Sequence, residues 1–160
     1  MQALTICQPY AHLIVIGEKR VENRDWPTHY RGPLLIHAGK NRTWLDGATD
    51  DELREEFGEL LPFGAIVGRA TLADCLHIDT IKRGEHDQRY PWLREHYHTN
   101  GTWCWILERV SRFVTPVPWK GAQRLFNIPD AAVDSSSTVA GVLVQPRFDH
   151  DPKMVRGSQQ

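Results

Sequence analysis

The stretch from Leu4 to Trp26 reads LTICQPYAHLIVIGEKRVENRDW, a strand, a helix and a charged extended segment in quick succession. Its first residues, up to Ile6, read as a short strand. Gln8-Pro9 then opens a helix, because proline is tolerated in a first turn. Leu13, Ile14 and Ile16 supply the apolar side of that helix, and Gly17 stands where a helix usually stops. The remainder, KRVENRDW, is extended and alternates in polarity. Residues 17–26 crowd Glu18, Lys19, Arg20, Glu22, Arg24 and Asp25 between a glycine and a tryptophan. On a regular strand Arg20, Glu22 and Arg24 share one face and Lys19 points to the other. Lys19 and Glu22 converge only if the chain bends between them, and Gly17 offers irregular geometry nearby. In a cleft, such a pair moves a proton near neutral pH. Spacing alone leaves a solvated, ion-paired strand as the plainer reading.

Downstream, a turn at Arg31-Gly32-Pro33 leads to LLIHA, an apolar run short enough for a buried strand. TDDELREEFGELL, residues 49–61, is the clearest helix. Thr49 or Asp50 caps it, acids crowd its first turn where the helix dipole favours them, and Leu53, Phe57, Leu60 and Leu61 form its stripe. AIVGRATLADCLHI is a long strand in which Gly68 marks a bulge or a close backbone approach. The polar stretch 82–102 is expected to be a loop with a short helix near PWLREHY. TWCWILERVSRFV is another strand, VPWKGAQRLFNIP a turn-rich connector, TVAGVLVQ a last strand and DHDPKMVRGSQQ a frayed tail. Short strands, two or three helices and glycine punctuation indicate an α+β fold around a small β-barrel.

The chain of 160 residues suits one domain, with 41% hydrophobic and 24% charged residues. Its formal net charge of -1 gives no global pull toward nucleic acid or anionic membrane. The sum hides asymmetry. Residues 46–59 hold seven acids against Arg54, whereas residues 109–124 hold Arg109, Arg112, Lys120 and Arg124 with no acid. No apolar run is long enough to span a bilayer, and the N-terminus lacks a basic leader. A cytoplasmic location with no membrane contact is expected. Cys7, Cys75 and Cys104 are odd in number and far apart, so reduced buried thiols are expected rather than disulfides or a zinc site.

Several residues could line a pocket. His37, in IHAGK, follows an apolar run, with Lys40 and Arg42 as a basic rim just beyond; a packed, hydrogen-bonded histidine is the plainer reading. Trp103 and Trp105 share a face in WCWIL, either as core or as a platform for a nucleobase. His96 and His98 are a weak metal pair on a polar loop, and no HxxxH or HExxH spacing occurs.

Taken together, these pieces resemble the ASCH domain of the PUA-like superfamily. Its signature G-x-K-x-x-E-x-R is complete as Gly17, Lys19, Glu22 and Arg24, and QPYA at 8–11 is similar to its first-helix motif. IHAGK, WCWILERV and KGAQRLFNIP follow in the right order, and the likeness runs over residues 3–145. The resemblance implies a β-barrel flanked by helices, with a cleft between barrel and helix, in a single domain over 1–146 followed by a flexible tail over 147–160. It also implies RNA-related roles. Some small members are amidohydrolases that deacylate N4-acetylcytidine; others bind nucleic acid, coactivate transcription or cleave RNA.

A short chain of one domain is expected to be a metal-independent N4-acylcytidine amidohydrolase without cofactor or obligate protein partner, acting on a modified pyrimidine nucleoside or base, free or in RNA. The likeness places Lys19 and Glu22 in catalysis, with Gln8, Tyr10, Arg24, His37, Lys40, Trp103 and Trp105 around the substrate. An RNA- or DNA-binding module, or a ribonuclease using Lys19 or His37, is the alternative. One position departs from the small bacterial amidohydrolases: they carry a threonine, taken as the nucleophile, where this chain has Glu22. Their separate catalytic glutamate has no counterpart either, because Gly68 and Arg69 occupy that region.

Overall fold

The computed structural model describes residues 1–133. Besides two 3-10 turns at Thr43–Leu45 and Asp130–Ala132, the described strands and α-helices are, in order, β1 (Gln2–Ile6), α1 (Tyr10–Val15), β2 (Val21–Arg24), β3 (Gly32–Ala38), α2 (Asp50–Phe57), β4 (Ala65–His77), α3 (Ile78–Lys82), β5 (Trp103–Pro118) and β6 (Leu125–Asn127). The strands form one mixed sheet in the order β2-β5-β4-β3-β1-β6. β1 and β3 run parallel and every other pair is antiparallel. Among the described residues β2 and β6 are the outer strands, and the sheet curls into a half-barrel with a few helices, the small α+β barrel expected from the sequence.

Curvature comes from the long antiparallel pair β4–β5. Its register shifts at Ile66/Gly68, Arg69/Thr71 and Leu72/Asp74 insert bulges, which bend a strand and increase its twist. Gly68 sits at the first. A Cβ there would collide with the Ser111 carbonyl and come within 2.8 Å of Val15 Cγ1, so glycine is what lets α1 lie against the sheet. Leu4, Ile6, Ile14, Val15, Leu34, Ile36 and Leu72 close the main core around that contact. Leu35, Ile66, Phe113 and Ile128 pack on the other face, so β3 is buried on both sides, as an unbroken apolar run requires.

α2 carries a complete capping box: the Thr49 side chain accepts from Glu52 N, and the Glu52 carboxylate accepts from Thr49 N. Gly58, at φ 73°, ends the helix early. Leu60 therefore lies beyond it and is exposed, while Leu45, Leu53 and Leu61 make a small satellite core. The acidic and basic segments are also less separate than their charges suggest, because Arg112 forms an ion pair with Glu59.

The short helix expected near PWLREHY is absent. Helical residues occur earlier, in α3, where the His77 ring caps Asp79 N. Residues 84–99 instead make successive single turns, such as Leu93 N to Tyr90 O and Thr99 N to His96 O. Pro91 disfavours a helical conformation at Tyr90, and buried Tyr90 and Leu93 anchor these turns to Val21, Cys104 and Ile106 on the sheet. The connector after β5 contains β6, which pairs with β1. TVAGVLVQ and the tail lie outside the described residues. No described helix is long and apolar enough to cross a membrane.

Candidate active site

A cleft of about 390 Å³ opens between the end of β1, the start of α1, β2 and the 97–100 turn. Its floor is charged, and the chain reaches that geometry in a few steps. Gly17, at φ 85°, turns the backbone out of α1. Lys19 N then hydrogen-bonds back to Leu13 O, so regular strand begins only at Val21. This irregular turn supplies the bend that strict alternation lacks. Lys19 Nζ donates to Glu22 Oε2 at 2.6 Å and also to the Val21 carbonyl. Glu22 Oε1 lies 2.9 Å from Arg24 Nη2, which also donates to Thr5 O at 2.8 Å. The side chains of Lys19 and Glu22 are 4% and 9% exposed, whereas that of Arg24 is 23% exposed.

Two features leave this floor able to act on a ligand. An ammonium has three N–H groups, and among the described residues Lys19 commits two, which leaves one for an incoming oxygen. Each Glu22 oxygen keeps a lone pair beyond its cationic partner.

The walls are aromatic. Tyr10 stands 5.6 Å from Lys19 Nζ, ring centroid to nitrogen, with Trp44 and His98 set edge-on to it at 6.2 and 6.1 Å. Trp44 and Tyr97 are exposed at the rim. Asn23, next after Glu22, ties the far wall down: its Nδ2 donates to His98 O at 2.8 Å and to Asn100 Oδ1 at 2.7 Å, and its Oδ1 accepts from Gly101 N at 3.0 Å.

Burial and the Lys19 charge hold the His98 pKa down to about 4; burial, with His98, Arg20 and Lys19 nearby, holds His96 at about 4 as well. Burial raises the Cys7 thiol and the Tyr10 phenol, so both stay protonated. The charges of the cleft are therefore those of Lys19, Glu22 and Arg24.

Four residues singled out from sequence, Tyr10, Lys19, Glu22 and Arg24, line this cleft together. The other five do not. Gln8 is fully buried and braces α1, accepting from His12 N and donating to Pro62 O. His37 is buried under the 119–122 segment with Nε2 at 3.0 Å from Trp119 O, on the side of the sheet away from the main core. Lys40 lies along Gly64, away from the floor. Trp105 is fully buried against Trp26, and Trp103 packs on His77. Of the two readings of the tryptophans, core holds for Trp105, while half-buried Trp103 packs at the core's margin, and neither lines the cleft.

Sequence reading missed Asn23, Trp44, Tyr97 and Asn100, and saw His98 only as half of a metal pair. The one available signal was aromatic residues placed in polar, turn-rich stretches. Cys104 is buried as expected, but Cys7 and Cys75 are only half-buried. Among the described residues no group of three or more His, Cys, Asp and Glu side chains is placed to hold a metal ion.

Comparison with known proteins agrees with this architecture. The ASCH domain family model matches residues 4–116. Activating signal cointegrator 1 of Mus musculus is 30% identical over 133 residues, covering 78% of this chain and 22% of that protein. The Homo sapiens protein of that name is 28% identical over the same length with the same coverage. The chain thus spans about a fifth of the length of these curated relatives. The crystal structure of ASCH from Zymomonas mobilis superposes with a TM-score of 0.50 at 14% identity, over 82% of this chain and 90% of that one, a likeness of fold alone. With the family match spanning most of the chain and the half-barrel in place, the chain belongs to the ASCH domain family.

Proposed function

We propose that the cleft is the active site of an amidohydrolase that removes the acyl group from N4-acylated cytidine or cytosine. The observation that carries this reading is the buried Lys19–Glu22–Arg24 array at the floor of an aromatic-walled cleft. A planar base fits between aromatic walls, and the polar floor meets its exocyclic amide. Glu22 takes a proton from a water as the water oxygen attacks the acyl carbon. The free Lys19 N–H receives the developing oxyanion. When the intermediate collapses, the C–N bond breaks and Glu22 returns the proton to the departing N4. The products are the free amine of cytidine and a carboxylic acid, which ionises in solvent. Arg24 holds Glu22 through Oε1 and leaves the other oxygen to Lys19. The leaving amine belongs to an aromatic amidine-like system, so it needs less acid help than an alkylamine. One carboxylate can then serve in place of a threonine nucleophile and a second acid.

The test is direct. Purified protein is incubated with N4-acetylcytidine, and cytidine release is followed by absorbance alongside Lys19→Ala and Glu22→Gln. Release by the wild type and loss in both variants support the reading. No release at high enzyme concentration, across several acyl groups, sinks it.

The second reading is an RNA- or DNA-binding module without chemistry, or a ribonuclease. It draws on exposed Lys120 and Arg124 in the segment that packs on Thr5 of the cleft. Its mark is an affinity for single-stranded RNA that falls steeply with salt, because phosphate contacts release counterions. Two cations alone would serve a phosphate, whereas the Glu22 carboxylate held between them has a use as a base in the hydrolase, which favours that reading.

A further inference from the structure

His98 has no role in the reaction as written, yet it is placed like a ligand-reading group. It is 7% exposed and belongs to the cleft wall. Its ring nitrogens make no hydrogen bond among the described residues. Nor are they among the sealed, unpartnered polar atoms, and the residue lines the cleft. Its backbone is fixed by the Asn23 side chain through the 2.8 Å bond to its carbonyl, and Asn23 adjoins Glu22 on β2. The imidazole is thereby held in register with the charged floor. Tyr10 and Tyr97 pack edge-on at 6.1 and 5.1 Å and fix the plane of the ring. A buried polar group with no protein partner is costly unless a ligand or water supplies one.

We propose that His98 hydrogen-bonds the ring edge of the pyrimidine in the cleft and so sets the angle at which the exocyclic amide meets Lys19 and Glu22. This rests on the reading of the ligand as an N4-acylated cytosine. The N3–O2 edge of such a base offers two acceptors, and a neutral imidazole supplies one N–H donor to them. Neutrality follows from the site, since burial beside Lys19 disfavours the imidazolium. A lysine in the same place would add a third cation beside Lys19 and Arg24. A neutral donor reads the base and leaves that balance unchanged.

The full chain is tested with His98→Phe, which keeps an aromatic ring and removes the hydrogen bond, and with His98→Gln, which restores a neutral donor. Cytidine binding is measured by calorimetry, and N4-acetylcytidine turnover as kcat and KM. Cytidine affinity is expected to fall about tenfold or more in His98→Phe, with KM rising in step, and His98→Gln is expected to recover most of it. Thermal unfolding checks both folds, and His98→Ala replaces the phenylalanine variant if that one fails to fold. Wild-type affinity in the variant lacking the hydrogen bond, or equal losses in that variant and His98→Gln, overturns the role. Turnover by the wild type with unchanged His98 variants refutes the histidine and leaves the hydrolase standing. Cytidine binding that depends on His98 without any turnover keeps the histidine and refutes the hydrolase. A wild type that neither binds cytidine nor turns over substrate refutes both.

Discussion

Replacing the Lys19–Glu22 pair by apolar residues of similar size separates what it does for stability from what it does for chemistry. The two side chains meet at 2.6 Å with 4% and 9% of their surfaces exposed, so each charge depends on the other. Removing one partner of a buried pair costs about 3–5 kcal/mol, because the survivor remains buried and uncompensated. The two singles are not equivalent here. In Lys19→Met, Glu22 retains Arg24 at 2.9 Å, which places the loss at the lower end, about 3 kcal/mol. In Glu22→Leu, Lys19 keeps only the Val21 carbonyl and faces the Arg24 charge, which places it nearer 5 kcal/mol. Lys19→Met/Glu22→Leu removes both charges and leaves Arg24 on Thr5 O. Its cost should fall below that of either single, because replacing a buried pair by apolar residues of similar volume is often neutral or stabilising. Urea denaturation followed by tryptophan fluorescence gives the three values. All three variants should lose turnover by at least about a hundredfold, since the base or the oxyanion donor is gone. A double mutant more stable than Glu22→Leu yet inactive separates the two roles. Single costs that add to within about 0.5 kcal/mol would show that the charges are not coupled and refute the reasoning.

Four other tests reach beyond the floor. Burial lowers the pKa of His12, His37, His96 and His98, the last two to about 4, so the unfolded chain binds protons first as pH falls below the ordinary histidine range. Stability is full above about pH 6.5 and declines toward pH 4, by at most roughly 1.4 kcal/mol per pH unit for each group and less where solvent screens it; urea midpoints at pH 7, 6 and 5 measure the slope, and a flat profile contradicts the buried neutral histidines. Gly68→Ala presses a methyl onto Val15 and the Ser111 carbonyl and should cost about 1–3 kcal/mol by the same assay, whereas wild-type stability would deny the close approach. Asn23→Ala removes the latch on residues 98–101 and should raise KM for N4-acetylcytidine several-fold, with faster amide exchange in that turn; unchanged exchange would refute the latch. Thr49→Ala breaks the capping box for about 1 kcal/mol and should leave turnover unchanged.

Local pattern carried much of this architecture. Alternation and unbroken apolar runs marked β1, β3, β4 and β5, and the acidic first turn behind Thr49 marked α2, because each depends on residues close in sequence. β6 was hidden in a turn-rich connector, since three residues carry little periodicity and their pairing with β1 joins opposite ends of the described chain. The helix expected at PWLREHY failed for the complementary reason. Its composition permits a helix, but Pro91 and the anchoring of Tyr90 and Leu93 on the sheet favour single turns.

The charges at the floor of the cleft were legible in the local order of residues. Gly17 and the order Lys19, Glu22, Arg24 put the ends of the array within a few residues of each other, close enough for a single bend to gather them. Their surroundings came from long-range packing. Asn23 reaches His98 across 75 residues, Arg24 reaches back to Thr5, and Trp105 turns into the core instead of toward a ligand. Those outcomes depend on how a curled sheet brings distant segments together and on which face of each strand it buries. Local propensity does not encode either.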